Sequence, residues 1–98
     1  MNLLKETLEF LIEHDLTSED VCWVGDGENY CNWNTFAAHA SFNYDDSYGC
    51  QEINDNLIVV GKDWWLERHD YDGSEWWEFK RLPVKPKSAA PQIKIKAE

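Results

Sequence analysis

Asp72-Gly73 is the sequence feature that most restricts how this chain can fold. It separates an aromatic run that begins at Trp64 (W-W-L-E-R-H-D-Y) from a second run that ends at Arg81 (S-E-W-W-E-F-K-R). Asp-Gly between two alternating segments is a strong hairpin signal, because both central residues of a type I′ turn need a positive φ. We therefore predict two antiparallel strands, over residues 64–69 and 75–81.

The turn leaves two registers open for this hairpin. A two-residue loop pairs Tyr71 with Ser74 and, at the far end, Trp64 with Arg81. A three-residue loop with a bulge would group the tryptophans differently. Because side chains alternate along a strand, either register places tryptophan on both faces of the sheet. A helix, a partner or water must then cover the second face.

The two-residue register sorts the hairpin into a core face and a charged face. The better core face carries Trp64, Leu66, Arg68, Trp77, Phe79 and Arg81. The other face carries Trp65, Glu67, His69, Trp76, Glu78 and Lys80. Glu67 then lies opposite Glu78, and like charges directly opposite each other are mildly destabilising. Interface hot spots are enriched in tryptophan and tyrosine, so we predict that a partner binds at Trp65, Glu67, His69, Trp76 and Glu78.

The charge of the chain is strongly acidic and unevenly distributed. It holds 9 Lys+Arg against 19 Asp+Glu, a net charge of −10. Residues 1–84 carry 5 basic and 18 acidic groups (−13), and residues 85–98 carry 4 and 1 (+3), which together give −10. A body this negative repels nucleic acid and anionic membranes. It suits basic protein surfaces, including grooves that normally hold nucleic acid.

The first segment predicts an amphipathic helix over residues 2–14. Its apolar stripe is formed by Leu4, Leu8, Leu11 and Ile12. Glu6 and the other charged side chains are expected to face solvent. The segment has no signal-peptide pattern, and no stretch of the chain approaches the roughly 18 apolar residues of a membrane span. We expect a cytoplasmic protein without a membrane partner.

A second hairpin is predicted within residues 21–33, around Asp26-Gly27. A two-residue loop there places Cys22 opposite Cys31. In the cytosol we expect both thiols to be reduced and buried as small hydrophobic groups. A redox pair is the alternative.

The remaining elements complete an α+β fold with both helices on one side of an antiparallel sheet. Asn34 or Thr35 is expected to cap a second helix that runs to about Phe42. The apolar run of residues 57–60 predicts the first strand of a three-stranded antiparallel meander. The order is therefore helix, β-hairpin, helix, meander, in one domain of residues 1–84. Residues 85–98 form a tail with proline and lysine that we expect to be mobile.

The loop between the second helix and the meander is a further candidate contact region. It is polar and acidic, and loops of this kind often carry contacts. Its predicted partner-binding residues are Tyr44, Asp45, Asp46 and Tyr48. A simple connecting loop is the alternative.

No motif in the chain names a reaction. The three cysteines lack CxxC spacing, and there is no glycine-rich phosphate loop, GxSxG or HExxH. Asp70-x-Asp72-Gly73 has the form of part of a calcium loop but lacks the remaining ligands. We predict a non-enzymatic protein with no metal and no cofactor. A small metal-dependent enzyme is kept as an alternative, because paired acids could bind Mg²⁺ weakly.

One block resembles a known group of proteins. The stretch V-G-K-D-W-W-L-E-R-H-D-Y-D-G-S-E-W-W-E-F-K, residues 60–80, follows an N-terminal amphipathic helix and is similar to small proteins encoded by phages and prophages of Firmicutes. The resemblance is strongest over residues 57–83, weaker before them, and does not include the tail. It marks a family and implies no activity of its own. Small acidic phage proteins of this size are often inhibitors of host defence, such as anti-CRISPR proteins.

Together these features predict a small acidic binding protein of phage origin that acts in the bacterial cytoplasm. Its partner would be a host protein with a basic surface, in a CRISPR or restriction complex. The protein would inhibit this nucleic-acid-handling complex by occupying its basic groove in place of nucleic acid. The alternative is a phage assembly protein that forms homodimers or larger homo-oligomers through the same face.

Overall fold

Two helices and five strands make up the part of the chain that the computed structural model describes, residues 1–46 and 50–97. The helices are α1 (Leu3–Glu13) and α2 (Trp33–Ala40), with a single 3₁₀ turn at Ser18–Asp20. The strands are β1 (Trp23–Gly25), β2 (Tyr30–Cys31), β3 (Ile58–Val60), β4 (Trp64–Tyr71) and β5 (Ser74–Arg81). The predicted α+β class is confirmed.

All five strands belong to one antiparallel sheet with the order β2-β1-β3-β4-β5. The predicted hairpin and three-stranded meander are therefore not separate, because β1 pairs with β3 and places Val24 opposite Val59. This pairing gives the apolar strand β3 a neighbour on both edges. The two edge strands of the sheet are therefore β2 and β5. Because β2 is short, it exposes few unpaired backbone groups at its edge.

The β4–β5 hairpin adopts the predicted two-residue register. Tyr71 pairs with Ser74, and Trp64 pairs with Arg81 at the other end. The turn residues Asp72 (φ 51°) and Gly73 (φ 86°) both have the positive φ that this turn requires. The bulged alternative is not adopted, and both strands are longer than predicted.

The first hairpin has a different register from the predicted one. A four-residue loop begins at Asp26, whose Oδ1 accepts the backbone N–H groups of Glu28 (2.9 Å) and Asn29 (2.7 Å). The hydrogen bond from Asn29, and to a lesser degree the one from Glu28, holds the pKa of Asp26 below its ordinary value. Cys31 consequently pairs with Val24, two positions further along the chain than Cys22, and Cys22 does not lie opposite it. Cys22 is exposed and not buried, and both thiols are free.

Helix α1 turns a different side to the core from the predicted stripe. Leu8 and Ile12 are 37% and 66% exposed, whereas Thr7 and Leu11 are fully buried. The reason is a polar contact that apolar periodicity does not show. The Trp77 indole Nε1 donates to Thr7 Oγ1 at 2.9 Å, which rotates the helix so that Thr7 faces the sheet.

Helix α2 begins and ends two or more residues earlier than predicted. The Asn32 side chain caps it by accepting the backbone N–H of Thr35 at 2.9 Å, so neither predicted cap, Asn34 or Thr35, is used. The helix ends at Ala40. Two residues later, the carbonyl of Phe42 accepts the backbone N–H at the start of α1, which directs the chain away from the helix.

The core lies between the two helices and one face of the sheet. Its buried hydrophobic residues are Leu3, Leu11, Val24, Phe36, Ala40, Tyr44, Ile53, Val59, Trp64, Leu66 and Trp77. Residues 82–97 form no helix or strand and are exposed. Within the described residues, no helix is both long enough and apolar enough to span a membrane.

The contact between Thr7 and Trp77 gives a direct test of this packing. Thr7→Val keeps the shape of the side chain and leaves the buried indole N–H without an acceptor. We expect the free energy of unfolding to fall by about 1–3 kcal/mol, measured by urea denaturation. The matched control is Thr35→Val at an exposed position of α2. Equal stability of the two variants would contradict a structural role for the hydrogen bond.

Candidate functional site

Within residues 1–46 and 50–97, no helix packs on the sheet face opposite α1 and α2, and we call it the open face. Both helices lie on the other face. Helix α1 contacts that face through Trp77, and α2 places Phe36 beside Val24. By register, the side chains of the open face are Trp23, Tyr30, Ile58, Val60, Trp65, Glu67, His69, Tyr71, Ser74, Trp76, Glu78 and Lys80.

Five predicted site residues lie together in the middle of β4 and β5, and we call them the acidic–aromatic patch: Trp65, Glu67, His69, Trp76 and Glu78. Glu67 lies directly opposite Glu78, and His69 lies opposite Trp76. The Trp65 indole Nε1 donates to Glu67 Oε1 at 2.7 Å, and the Trp76 indole Nε1 donates to Glu78 Oε2 at 3.1 Å. Each carboxylate is therefore oriented by the indole two residues before it.

His69 and Lys80 reduce the repulsion between the two carboxylates. His69 Nε2 lies 2.7 Å from Glu67 Oε2 and 3.8 Å from Glu78 Oε1. Lys80 Nζ lies 3.6 Å from Glu78 Oε1. These groups are about one third exposed or more, so a partner can reach and replace their contacts.

The carboxylates of the patch are stabilised in their ionised form. The hydrogen bond from Trp65, followed by that from His69, lowers the pKa of Glu67. The hydrogen bond from Trp76 lowers the pKa of Glu78. Two oriented carboxylates beside indole faces form a surface that can bind arginine or lysine through charge-assisted hydrogen bonds and cation–π contacts.

The exposure of the two patch tryptophans differs. Trp76 is 36% exposed, and Trp65 is half-buried. Each ring keeps its polar N–H satisfied within the patch and leaves part of its apolar surface accessible. An aromatic ring of this kind can act as an interface anchor.

The predicted loop residues are not brought together with the patch as a group. Tyr44 is only 6% exposed and lies in the core. Its hydroxyl donates to Glu6 Oε1 at 2.5 Å, and burial, with this bond, raises its pKa. Asp45 is exposed, and the Asp46 carbonyl accepts the backbone N–H of Glu75. Tyr48 lies outside the described residues.

A buried ionic network explains why Tyr44 faces inward. The Arg68 side chain is fully buried and binds Glu6 at 3.3 Å and Glu75 at 3.2 Å. Its Nη2 also donates to the Tyr44 hydroxyl at 3.0 Å. Sequence alternation placed Arg68 on the core face correctly. The expectation that Glu6 faces solvent was wrong, because its partner lies 62 residues away.

Glu75 extends this network to the loop before β3. Its carboxylate accepts the backbone N–H groups of Glu52 at 2.8 Å and Ile53 at 3.1 Å. The same carboxylate binds Arg68. The network thus attaches the loop and α1 to the sheet, and its role is structural.

A second feature of the open face was not identified from the sequence. Trp23 and Tyr30, at the β1–β2 end, have ring centroids 6.3 Å apart and planes at 73°. With Gly25, Glu28 and Ile58 they line a shallow depression, which we call the edge cleft. The predicted register that places Cys22 opposite Cys31 would also place Trp23 directly opposite Tyr30. In the structure the four-residue Asp26 loop pairs Tyr30 with Gly25 instead, so the two aromatic residues are diagonal neighbours.

The pKa of Glu78 provides a test of the patch geometry. A lowered pKa means that folding favours the carboxylate; this contribution is present above the ordinary value of 4.5 and is lost as the pH falls through the lowered pKa. We expect Trp76→Phe to raise the pKa of Glu78 towards its ordinary value, measured by NMR titration of side-chain carboxyl carbons. Glu67 serves as the internal control, because Trp65 still binds it. An unchanged Glu78 titration would exclude the indole hydrogen bond as the cause.

Comparison of the chain with protein-family models, curated proteins and solved structures finds no match. Its function must therefore be inferred from the chain's own side chains. The acidic–aromatic patch, with its fixed and ionised carboxylates, is the surface best suited to bind a partner.

Proposed function

We propose that this chain is a non-enzymatic binding protein that docks its open face on a basic protein surface. The observation that carries the proposal is the cross-strand pair Glu67–Glu78, ionised and bordered by the indoles of Trp65 and Trp76. A cationic side chain of the partner would lie on this pair. The indoles would supply the apolar contact area around it.

The energetics of the sheet support a role in binding over a role in folding. Like charges directly opposite on neighbouring strands disfavour the sheet, and in the free protein the two indole N–H groups, His69 and Lys80 stabilise Glu67 and Glu78 without removing either charge. A partner's arginine or lysine would neutralise this pair more completely. The repulsion in the free protein would then become part of the driving force for association.

The net charge of the chain supports the same kind of partner. Residues 1–84 carry 5 basic and 18 acidic groups, and a field of this sign attracts basic surfaces and increases association rates at low salt. Basic protein grooves commonly hold nucleic acid. With the resemblance to phage-encoded proteins, this favours an inhibitor of a bacterial nucleic-acid-handling defence complex, anti-CRISPR-like in its mode of action.

A homo-oligomeric assembly protein is the second candidate, since the open face also carries the apolar side chains Ile58 and Val60. Self-association would bring together two chains that each carry a net charge of −10, which opposes docking through acidic faces. Light scattering distinguishes the two candidates. A stable multimer that Trp76→Ala dissociates would support assembly.

The affinity test first identifies a partner and then measures one substitution. The tagged chain is used to capture proteins from a bacterial lysate, and the captured partner is purified. We expect Trp76→Ala to weaken binding by about 2 kcal/mol, roughly 30-fold, if the indole is an anchor, measured by calorimetry. The control is Ile12→Ala, an exposed apolar side chain of α1. Unchanged affinity in a folded Trp76→Ala variant would remove this indole from the interface.

The electrostatic test compares two variants of equal net charge. Glu67→Gln with Glu78→Gln removes the charges of the patch, and Glu9→Gln with Glu13→Gln removes two charges from α1. We expect the patch variant to lose more affinity, and more of its salt dependence, than the helix variant. Equal losses would show that the overall negative charge, and not the patch, attracts the partner.

A further inference from the structure

The edge cleft at the β1–β2 end of the open face has the character of a peptide site. We propose that it binds an extended, proline-containing basic peptide segment of a partner protein. The inference concerns other residues than the acidic–aromatic patch and goes beyond the function proposed for that patch. It does not depend on the patch binding anything.

The cleft presents aromatic surface in two orientations. Trp23 is 36% exposed and Tyr30 is 78% exposed, and their planes meet at 73°. The Tyr30 ring contacts the edge of the Trp23 ring and leaves most of its apolar surface to water. A rigid ligand could lie against both rings at once.

Gly25 keeps the cleft open. A Cβ atom at Gly25 would lie 2.7 Å from Cζ3 of the Trp23 ring, so a side chain there would displace the indole. Gly27 has a φ of 97° and lines the same depression without a side chain. Ile58 pairs with Gly25 on the side away from Tyr30 and adds an apolar side chain to the lining. The result is a trough with aromatic walls and room for a backbone.

The chemistry of this trough selects the ligand. Proline-containing segments in the polyproline II conformation dock in aromatic-lined grooves, and they lose little entropy because the conformation is preformed. Glu28 lines the trough, and Glu67 pairs with Ile58 at its side. Among the described residues that line the trough, Glu28 is acidic and none is basic, so charge complementarity favours lysine or arginine in the peptide.

The chain's own tail has a similar composition, with Pro86, Pro91 and the lysines Lys85 and Lys87. Of the tail residues that the structure describes, 85–97, none lines the cleft, and Ile93 and Ile95 are 80% and 85% exposed. The cleft is therefore open to a partner. Occupation by the tail is a distinct outcome that the experiment below separates.

The test is an NMR titration of the full chain with a short synthetic peptide that repeats proline-proline-lysine. We expect saturable shifts of the Trp23 indole N–H signal. A glycine-serine-lysine repeat of equal charge should bind more weakly, because it is flexible, and a proline-proline-glutamate repeat should bind more weakly, because its charge is reversed. Tyr30→Ala should weaken binding of the lysine peptide roughly two- to tenfold.

The matched control is Tyr71→Ala, which removes a tyrosine of the same face that is 77% exposed at the other end of the sheet. It should leave the affinity unchanged, as should Trp76→Ala in the patch. Equal binding by the Tyr30→Ala variant and the parent chain would overturn the proposal. So would shifts of the tail amide signals in Tyr30→Ala without peptide, because they would identify the chain's own tail as the occupant.

Discussion

The register of the β4–β5 hairpin determines which side chains face the helices and which lie on the open face. Because side chains alternate along a strand, the turn at Asp72-Gly73 decides that Trp77 and Arg68 face the helices while Trp76 and His69 face outward. A slip by one residue would exchange the two sets. It would bury the paired carboxylates and expose the arginine that holds α1 and the loop before β3.

Charged side chains are buried on the helix side of the sheet and accessible to water on the open face. On the helix side, Arg68 is enclosed by Glu6 and Glu75, and removing one member of such a buried group leaves another uncompensated, which is costly. On the open face, the carboxylates are held by indole N–H groups and remain within reach of water. The first arrangement favours a single conformation, whereas the second leaves charge available to another molecule.

Local signals predicted part of this structure well. The Asp-Gly turn and the alternation were sufficient to predict the hairpin, with the observed register as one of two, and to group Trp65, Glu67 and His69 on one face. The contacts of Thr7 with Trp77 and of Glu6 with Arg68 join residues 70 and 62 positions apart, and no local pattern reports them. For this reason the orientation of α1 and the inward position of Tyr44 were not predicted. The register of the first hairpin was predicted wrongly because side-chain capping by Asp26 lengthened its loop by two residues, which places Gly25 opposite Tyr30 in the edge cleft.

The distribution of tryptophan over both faces gives the protein two sets of intrinsic optical probes. Trp64 and Trp77 are 4% and 2% exposed, so their fluorescence is shielded from acrylamide while the core is intact. Trp23 and Trp76, each 36% exposed, are accessible to the quencher from the open side. Stronger quenching of Trp64 and Trp77 therefore indicates unfolding. Weaker quenching of Trp23 and Trp76 indicates that another molecule has covered the open face. The same chain can distinguish the two events without a label.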